Sequence, residues 1–460
     1  AVPAPAAAPA SAPPPVVHRV PDAVVAPEVL AAAAAAATAT ATDPPALAVP
    51  DSMAAPLAEG VGGTYGEMVA HRRWLHAHPE LSFQEVATAA YVAAALGTYA
   101  GVSDIVTGVG RTGVVALVRG RAGPGPCIAL RADMDALPLP ETADVPYAST
   151  APGVMHACGH DGHMSSLLAA ARVLGSSIDR LAGTVKLVFQ PAEEGYGGAA
   201  AMIADGVLSG VAADGTPRPD LGPPVDEIYG IHLWTYEPAG AVCVKDGPLM
   251  AASNRFEIEV EGRGGHGAHP HGTVDAVVAA AALVGALQTV VSRNADPVDP
   301  AVITCGSIAG GHGYNIICDH VRLRGTTRCF TPATGALIEG RMRDVCSGIA
   351  ATYGGDVKLA YDYGYPATVN AYPACVERVR AAARAVAGDA HLRVAVPTCG
   401  AEDFSYFLLA APGAFFFVGA ALPGVERPHH KSVFDFDEAA MLVSASMYVR
   451  LATDALAPRA

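Results

Sequence analysis

Two stretches of this sequence crowd together side chains that bind metals. His156-Ala157-Cys158-Gly159-His160-Asp161-Gly162-His163 carries a thiol, imidazoles and a carboxylate, and Pro191-Ala192-Glu193-Glu194-Gly195 carries two adjacent carboxylates. Asp133-Met134-Asp135 lies upstream, Ile231-His232 ends an apolar run, and His429-His430-Lys431-Ser432-Val433-Phe434 stands near the end of the chain. Thiolate, imidazole and carboxylate together suit borderline transition metals. More than four such groups exceed what one tetrahedral zinc needs, which points to two adjacent ions. A two-metal site polarises a carbonyl and lowers the pKa of a bridging water, supplying a nucleophile near neutral pH. The water's proton needs a base, and in the Glu193-Glu194 pair one carboxylate can bind metal while the other faces the water.

The surrounding text shows what must position these groups. Helix-like HRRWLHAHPELSFQEVATAAYVAAALGTY precedes the short β-branched runs GVVALVRG and PCIALRA. Helical HMSSLLAAARVLGSS, strand-like GTVKLVFQ, helical AAAMIADGVL and strand-like DEIYGIHLW follow. Strands alternating with helices predict an α/β fold with a largely parallel sheet covered on both faces. In such sheets ligands sit beyond the carboxyl ends of the strands, and the polar clusters fall at those ends. Between Pro248 and about Tyr363 the order changes to strand (Arg255 to Glu261), helix (Val274 to Ser292), strands (Ala301 to Ile308, Val321 to Phe330), helix (Ala333 to Tyr353) and strand (Asp356 to Tyr361). That is the β-α-β-β-α-β order of a ferredoxin-like α+β unit. A catalytic domain over 61–247 and 364–460, with a lid or dimerisation domain inserted at 248–363, is the simplest account. Gly247-Pro248 and Gly364-Tyr365-Pro366 punctuate the two joints and are the expected hinges. The helix from Val274 is uncharged between Asp275 and Arg293 and must be covered by sheet or partner.

Residues 1–60 read differently. Pro recurs every few positions and Ala buries little area, so this Ala/Pro-rich extension is expected to be disordered. Arg19 is its single Lys or Arg, whereas organellar transit peptides are Arg-rich. Whether it is a targeting segment decides between an organellar and a cytoplasmic location.

The whole chain has 460 residues, 51% hydrophobic and 16% charged, enough to close a sizeable core. Lys+Arg 29 against Asp+Glu 44 gives a formal charge of −15, which argues against nucleic acid or anionic membrane as partner and leaves a small molecule. No run of about 18 apolar residues that is not dominated by Ala suggests a membrane span. The nine cysteines are odd in number, widely spaced and without a CxxC pair, so neither a disulfide framework nor a cysteine-based zinc ribbon is indicated. All but Cys158 are expected to be small packing residues.

HRRWLHAHPELSFQE, RADMDALPLPE, HACGHDGHM, FQPAEEGYGGAAAM, GIHLW, GGHGAHPH, AEDFSYF and HHKSVFDFDE follow one another in that order. The chain from about Tyr65 to Met441 thereby resembles the M20 metallopeptidase family. It is closest in pattern to the family's amidohydrolase branch, which includes hippurate hydrolases, N-acyl-amino-acid hydrolases and plant auxin-conjugate hydrolases. The resemblance implies two divalent ions, Mn2+ or Zn2+ or else Co2+, bound by Cys158, His160, Glu194, His232 and a C-terminal His, with Glu193 as general base and acid. Family spacing from that His to an aromatic residue selects His430 over His429, although Lys431-Ser432 replaces the usual Ser-Pro. Asp135 matches an acidic residue that orients a ligand, and His266 matches an inserted-domain His that reaches the substrate carbonyl. Asn315-Ile316-Ile317-Cys318 matches a lid motif that usually has Pro where Cys318 stands.

The implied activity is hydrolysis of the amide of an N-acyl amino acid, by a monomer or by a homodimer joined through the inserted domain. Short peptides, as in carboxypeptidase-like relatives, are the alternative substrates; a metal-containing binding protein without catalysis is the third reading. His163 and Asp161 open a helix and either cap it or orient a ligand. Asp403 is placed to support the site from behind, and His71, His76 and His78 read as packing residues.

Overall fold

The computed structural model describes residues 27–38 and 58–458. In chain order its helices are α1 (Pro27–Thr38), α2 (Tyr65–Ala77), α3 (Val86–Gly97), α4 (His160–Gly175), α5 (Gly198–Ala204), α6 (Ala276–Thr289), α7 (Pro332–Tyr353), α8 (Pro373–Ala387), α9 (Phe404–Ala410) and α10 (Ala440–Ala455). The strands begin with β1 (Val102–Val109), β2 (Gly113–Arg119), β3 (Cys127–Asp133), β4 (Thr184–Gln190), β5 (Glu227–Pro238), β6 (Val242–Val244), β7 (Gly247–Met250) and β8 (Ala252–Glu261). They continue with β9 (Gly265–His266), β10 (Ala301–Gly310), β11 (Ile316–Ile317), β12 (His320–Cys329), β13 (Asp356–Tyr365), β14 (Thr368–Asn370), β15 (Leu392–Val394) and β16 (Gly413–Ala421).

The large sheet has the order β1-β2-β4-β3-β5-β16-β6-β15. Its centre, β4-β3-β5-β16, is parallel throughout, while β1, β2 and β6 join it in antiparallel fashion. Every residue of β3 and β4 is buried, the pattern of strands covered on both faces. One face carries α2, α4, α8 and α10 over Ile128, Leu130, Val185 and Phe416; the other carries Met202 of α5 and Phe404 and Phe407 of α9 over Ala129 and Val188.

The second sheet, β10-β12-β8-β13, is antiparallel throughout and comes entirely from the stretch between the two joints. Phe256, Ile258 and Val260 alternate inward from β8 and pack with Leu283 and Leu287 of α6 and Ile338 and Met342 of α7. Among the described residues one apolar helix, α6 with its continuation Val290–Asn294, is long enough to cross a membrane. Its residues Ala279, Ala280, Leu283, Leu287 and Val290 are buried against this sheet. The opposite face of the sheet is a ladder of cross-strand ion pairs, Arg324 with Glu257, Arg322 with Glu259 and Lys358 with Glu261. The joints do not run separately: β7 and β14 form a two-stranded antiparallel ladder in which Met250 faces Thr368 and Gly247 faces Asn370.

Disorder was expected throughout 1–60, and Pro27–Thr38 departs from it by forming a helix. Between Pro27 and Pro44 no proline interrupts the chain, Pro27 and Glu28 occupy the first turn, and an Ala run has the highest helix propensity. Ala33 and Ala36 are buried in the same core cluster as residues of α2 and α3. Small side chains let a helix approach closely, which the area argument overlooked. The remainder of that extension lies outside the described residues, apart from 58–60.

Candidate metal centre

Parallel strands deliver the chemistry to one rim of the large sheet. β3 ends at Asp133 beside Gln190, the end of β4, and the loops after them carry Asp135 and Glu193-Glu194. His232 lies within β5, paired with Phe417 of β16, and His429-His430 lies in the segment between β16 and α10. Cys158 sits just before α4. Gly159 has φ of +89°, a turn that glycine makes without steric cost, and it brings the chain from Cys158 into a helix starting at His160.

Each imidazole is fixed through one nitrogen. His160 Nδ1 donates to the Asp135 carbonyl at 2.8 Å. Its Nε2 is buried without a hydrogen-bond partner, 3.6 Å from Asp133 Oδ2 and 4.0 Å from Glu194 Oε1. His232 Nδ1 donates to the Leu233 carbonyl at 2.7 Å, and its Nε2 lies 3.4 Å from Cys158 Sγ. His430 has φ of +59°, unusual for a residue with a side chain, its N–H donates to the Ala157 carbonyl, and its Nε2 stands 3.2 Å from Glu194 Oε1. Potential ligand atoms of Cys158, Glu194 and His430 lie within 4.8 Å of one another, as do those of Cys158, His232 and His429, and those of His160, Glu193 and Glu194.

The supporting bonds are as specific as the cluster. Asp135 accepts the backbone N–H groups of both Glu193 and Glu194 at 3.0 Å and the Ser82 hydroxyl at 2.6 Å. Glu85 accepts the N–H of Ala192, which has φ of +53°. His163 donates Nδ1 to Asp133 and accepts the Leu233 N–H at Nε2, so both its nitrogens are satisfied. Asp161 caps nothing; it holds Arg72 at 2.9 Å and His76 at 2.8 Å. Arg131, fully buried in β3, reaches Asp133 at 2.7 Å, Glu402 at 2.9 Å, Asp403 at 3.3 Å and Gln190 at 2.7 Å. Asp403 also accepts the Ala199 N–H, and its own N–H lies 3.4 Å from Glu193 Oε1.

The site is crowded with carboxylates. Burial, then repulsion from Glu402 and Glu194, pushes the Glu193 carboxyl well above the usual carboxylate range. Burial pushes the Cys158 thiol up, and Glu194 and Glu193 add to this. Burial opposes ionisation of Asp135 too, but the His160 imidazole and the other bonds to its carboxylate keep it low. Burial and neighbouring imidazoles hold His232 far below an ordinary histidine, and burial takes His429 down to about 3. Arg131 is outnumbered by these carboxylates, and bound cations would reverse the local field.

The cluster borders a cavity of about 610 Å³, a size ordinary for a small-molecule site. Trp234, Tyr236, Met250, Thr398 and Glu402 complete much of its wall. Of the residues singled out in the sequence, Cys158, His160, Glu193, Glu194, His232 and His430 come together, with Asp135 directly behind them. His429 comes too, stacked on Trp234 with ring centroids 5.0 Å apart. His266 does not: it is exposed on the β9/β11 ladder, 5.2 Å between ring centroids from His269, and is not among the residues lining the cavity. His71 and His76 are buried in hydrogen-bonded networks, that of His76 including Asp161, and neither lines the cavity. Sequence reasoning overlooked Ser82, Glu85 and Arg131, and it named Asp133 without giving it a role of its own. Arg131 had a signal, since a charge within the apolar run PCIALRA must find partners.

All nine cysteines are free thiols; seven are buried, Cys305 is partly so and Cys399 is exposed.

Comparison with known proteins places this arrangement among enzymes. Residues 129–454 match the model of peptidase family M20/M25/M40. The chain is 44% identical over 391 residues to the YhaA protein of Bacillus subtilis, which carries an amidohydrolase name, covering 84% of this chain and 93% of the relative. It is 38% identical over 385 residues to an N-acetyl-L-cysteine deacetylase of the same organism, covering 83% and 86%. Among solved structures, the YxeP protein of Bacillus subtilis, described as a dinuclear metal-binding peptidase, superposes with a TM-score of 0.72 at 33% identity, covering 85% of this chain and 98% of that one.

Proposed function

The chain belongs to peptidase family M20/M25/M40, and from that membership we propose that it hydrolyses the amide bond of N-acyl amino acids at a centre of two divalent ions. It is a hydrolase acting on amide bonds in a small-molecule substrate. The reading of the centre rests on one observation above all: His160 Nε2, buried and without a partner, faces the carboxylates of Asp133 and Glu194 beside Cys158. A buried imidazole nitrogen left unsatisfied is costly, and a cation is the partner that the surrounding donors would accept. In this reading Cys158, His160, Glu194, His232 and His430 hold the ions, and the mixed thiolate, imidazole and carboxylate set suits Zn2+, Mn2+ or Co2+.

Two divalent cations there would polarise the amide carbonyl and make a water more acidic. The chain's own groups do the rest. Glu193 takes the proton of the attacking water and returns it to the leaving nitrogen. Asp135 acts as a positioning residue, because its carboxylate fixes the backbone of both glutamates. His163 orients His232 by accepting the next N–H of β5. Trp234, Tyr236 and Met250 offer apolar wall to the acyl group. The small-sheet unit serves as a lid, as a dimer contact or as both; only closure would bring His266 to the developing oxyanion.

Metal analysis tests the ligand set. Cys158→Ala and Glu194→Ala should each lose at least one equivalent of metal, and so should His430→Ala but not His429→Ala. Loss in His429→Ala alone would transfer the role to its neighbour. His266→Ala should keep its metal and lose roughly 10²–10³-fold in kcat, the scale of one oxyanion donor; unchanged kcat removes it from the mechanism. For the substrate, N-acetyl, N-benzoyl and indole-acyl amino acids should be cleaved in preference to dipeptides. Faster dipeptide cleavage would make the protein a carboxypeptidase or dipeptidase, and no cleavage with metal bound would make it a binding protein.

A further inference from the structure

A second group of unlike metal-binding side chains lies away from the cavity. In the segment joining β10 to β12, His312, Cys318 and Asp319 bring an imidazole nitrogen, a thiol and a carboxylate oxygen within 4.8 Å of one another. None of the three lines the cavity. We propose that they form an additional divalent-metal site, selective for a thiophilic borderline ion such as Zn2+ or Co2+, which restrains the β9/β11 ladder.

Geometry carries the assignment. His312 Nε2 is 3.8 Å from Asp319 Oδ1, too far for a hydrogen bond. Donors around a tetrahedral ion at metal distances of about 2.0–2.3 Å stand roughly 3.3–3.6 Å apart. A shift of a few tenths of an ångström closes that gap, and both side chains are more than half exposed and free to make it. Cys318 is the fixed member. Its Sγ accepts the Gly311 N–H at 3.1 Å and donates to the His320 carbonyl at 2.9 Å, and its residue is 3% exposed within the small-sheet core. On capture of the ion, the S–H proton leaves to solvent, the bond to His320 is replaced by a metal–sulfur bond, and the Gly311 N–H continues to donate to the sulfur. Water takes the remaining position.

The backbone around the three residues is already tied on both sides. Gly262 N–H donates to the Asp319 carbonyl at 2.7 Å, Ala276 N–H to the Cys318 carbonyl at 3.1 Å and Gly267 N–H to the Asn315 carbonyl at 2.8 Å. Between them Ile316 pairs with His266 and Ile317 with Gly265. An ion joining His312 to Cys318 and Asp319 would therefore cross-link the two ends of the segment that pairs with His266. That coupling to His266 gains catalytic meaning only on the reading above; the metal site itself does not depend on it.

The purified full chain, loaded with Zn2+ and freed of unbound ion, is compared with His312→Ala, Cys318→Ser and Glu194→Ala by metal analysis, and the Ile316 and Ile317 amides are followed by hydrogen exchange. His312→Ala, an exposed substitution that leaves the core intact, and Cys318→Ser should each retain one equivalent fewer than the natural chain. The Glu194→Ala loss should add to theirs in the double variant, and Zn2+ should slow exchange in the natural chain but not in His312→Ala. Equal zinc content in His312→Ala, Cys318→Ser and the natural chain overturns the site, whatever Glu194→Ala does; exchange indifferent to Zn2+ overturns the restraint.

Discussion

Glu193→Gln is expected to retain its metal and to lose roughly 10²–10⁴-fold in kcat, the range that general acid–base catalysis supplies. The amide matches the carboxyl in shape, so nothing in the wall has to move. The loop is held from elsewhere: Asp135 accepts the Glu193 N–H, and the Tyr365 hydroxyl donates to the Glu193 carbonyl at 2.5 Å. What the variant loses is the capacity to take up a proton and return it. Burial and the neighbouring carboxylates push the Glu193 carboxyl up, and bound cations would draw it back toward the ionised form that accepts the water's proton. Metal content by elemental analysis and turnover of an N-acyl amino acid decide the matter together. Normal kcat in a fully loaded variant would falsify the assignment, and lost metal would show instead that Glu193 is a ligand.

Arg131→Ala should cost about 3–5 kcal/mol of stability, the scale for removing one partner of a buried ion pair. The guanidinium is fully buried and pairs with Asp133, Glu402 and Asp403, and among the described residues no other Lys or Arg forms an ion pair with them. Removing it leaves those carboxylates in the interior to repel one another behind Glu193. Burial already raises Glu402 to about 7 even with Arg131 present. Without the guanidinium, the folded state holds carboxyl protons that the unfolded chain gives up near pH 4. Arg131 itself lowers Glu402, so in the variant stability should fall further as the pH rises from there through and beyond 7, and part of the deficit should be regained toward acid pH. Urea unfolding at several pH values measures this; a variant within about 1 kcal/mol of the natural chain at neutral pH would show that the carboxylates find other relief.

The residues just discussed mark how far the sequence could be read. Glu193, Cys158 and His160 stand in short runs of metal-binding types at the ends of apolar strands, where both chemistry and position are local properties. The β-α-β-β-α-β stretch was legible for the same reason, since its strands and helices are long enough to show periodicity. Arg131 and Glu402 are 271 positions apart, and no local pattern announces that the end of β3 and the start of α9 share one guanidinium. Asp135 was expected, by resemblance, to orient a ligand, while the bonds it makes to two backbone amides of another loop depend on a tertiary approach. β6, β7, β14 and β15 have three or four residues each, too few to establish an alternation. His266 illustrates the reverse: its motif was plain, but its distance from the cavity depends on the placement of the small sheet.

The β7/β14 ladder bears on how such a molecule could arise and be taken apart. Because Met250 and Thr368 face one another in register, the chain leaves and returns at points a tight turn could join. Every strand of the large sheet lies outside that interval. The large sheet can thus be threaded without the small one, and the small unit is topologically a cassette: it could be excised, exchanged or acquired in one event without reordering any strand around the rim where the chemistry is gathered.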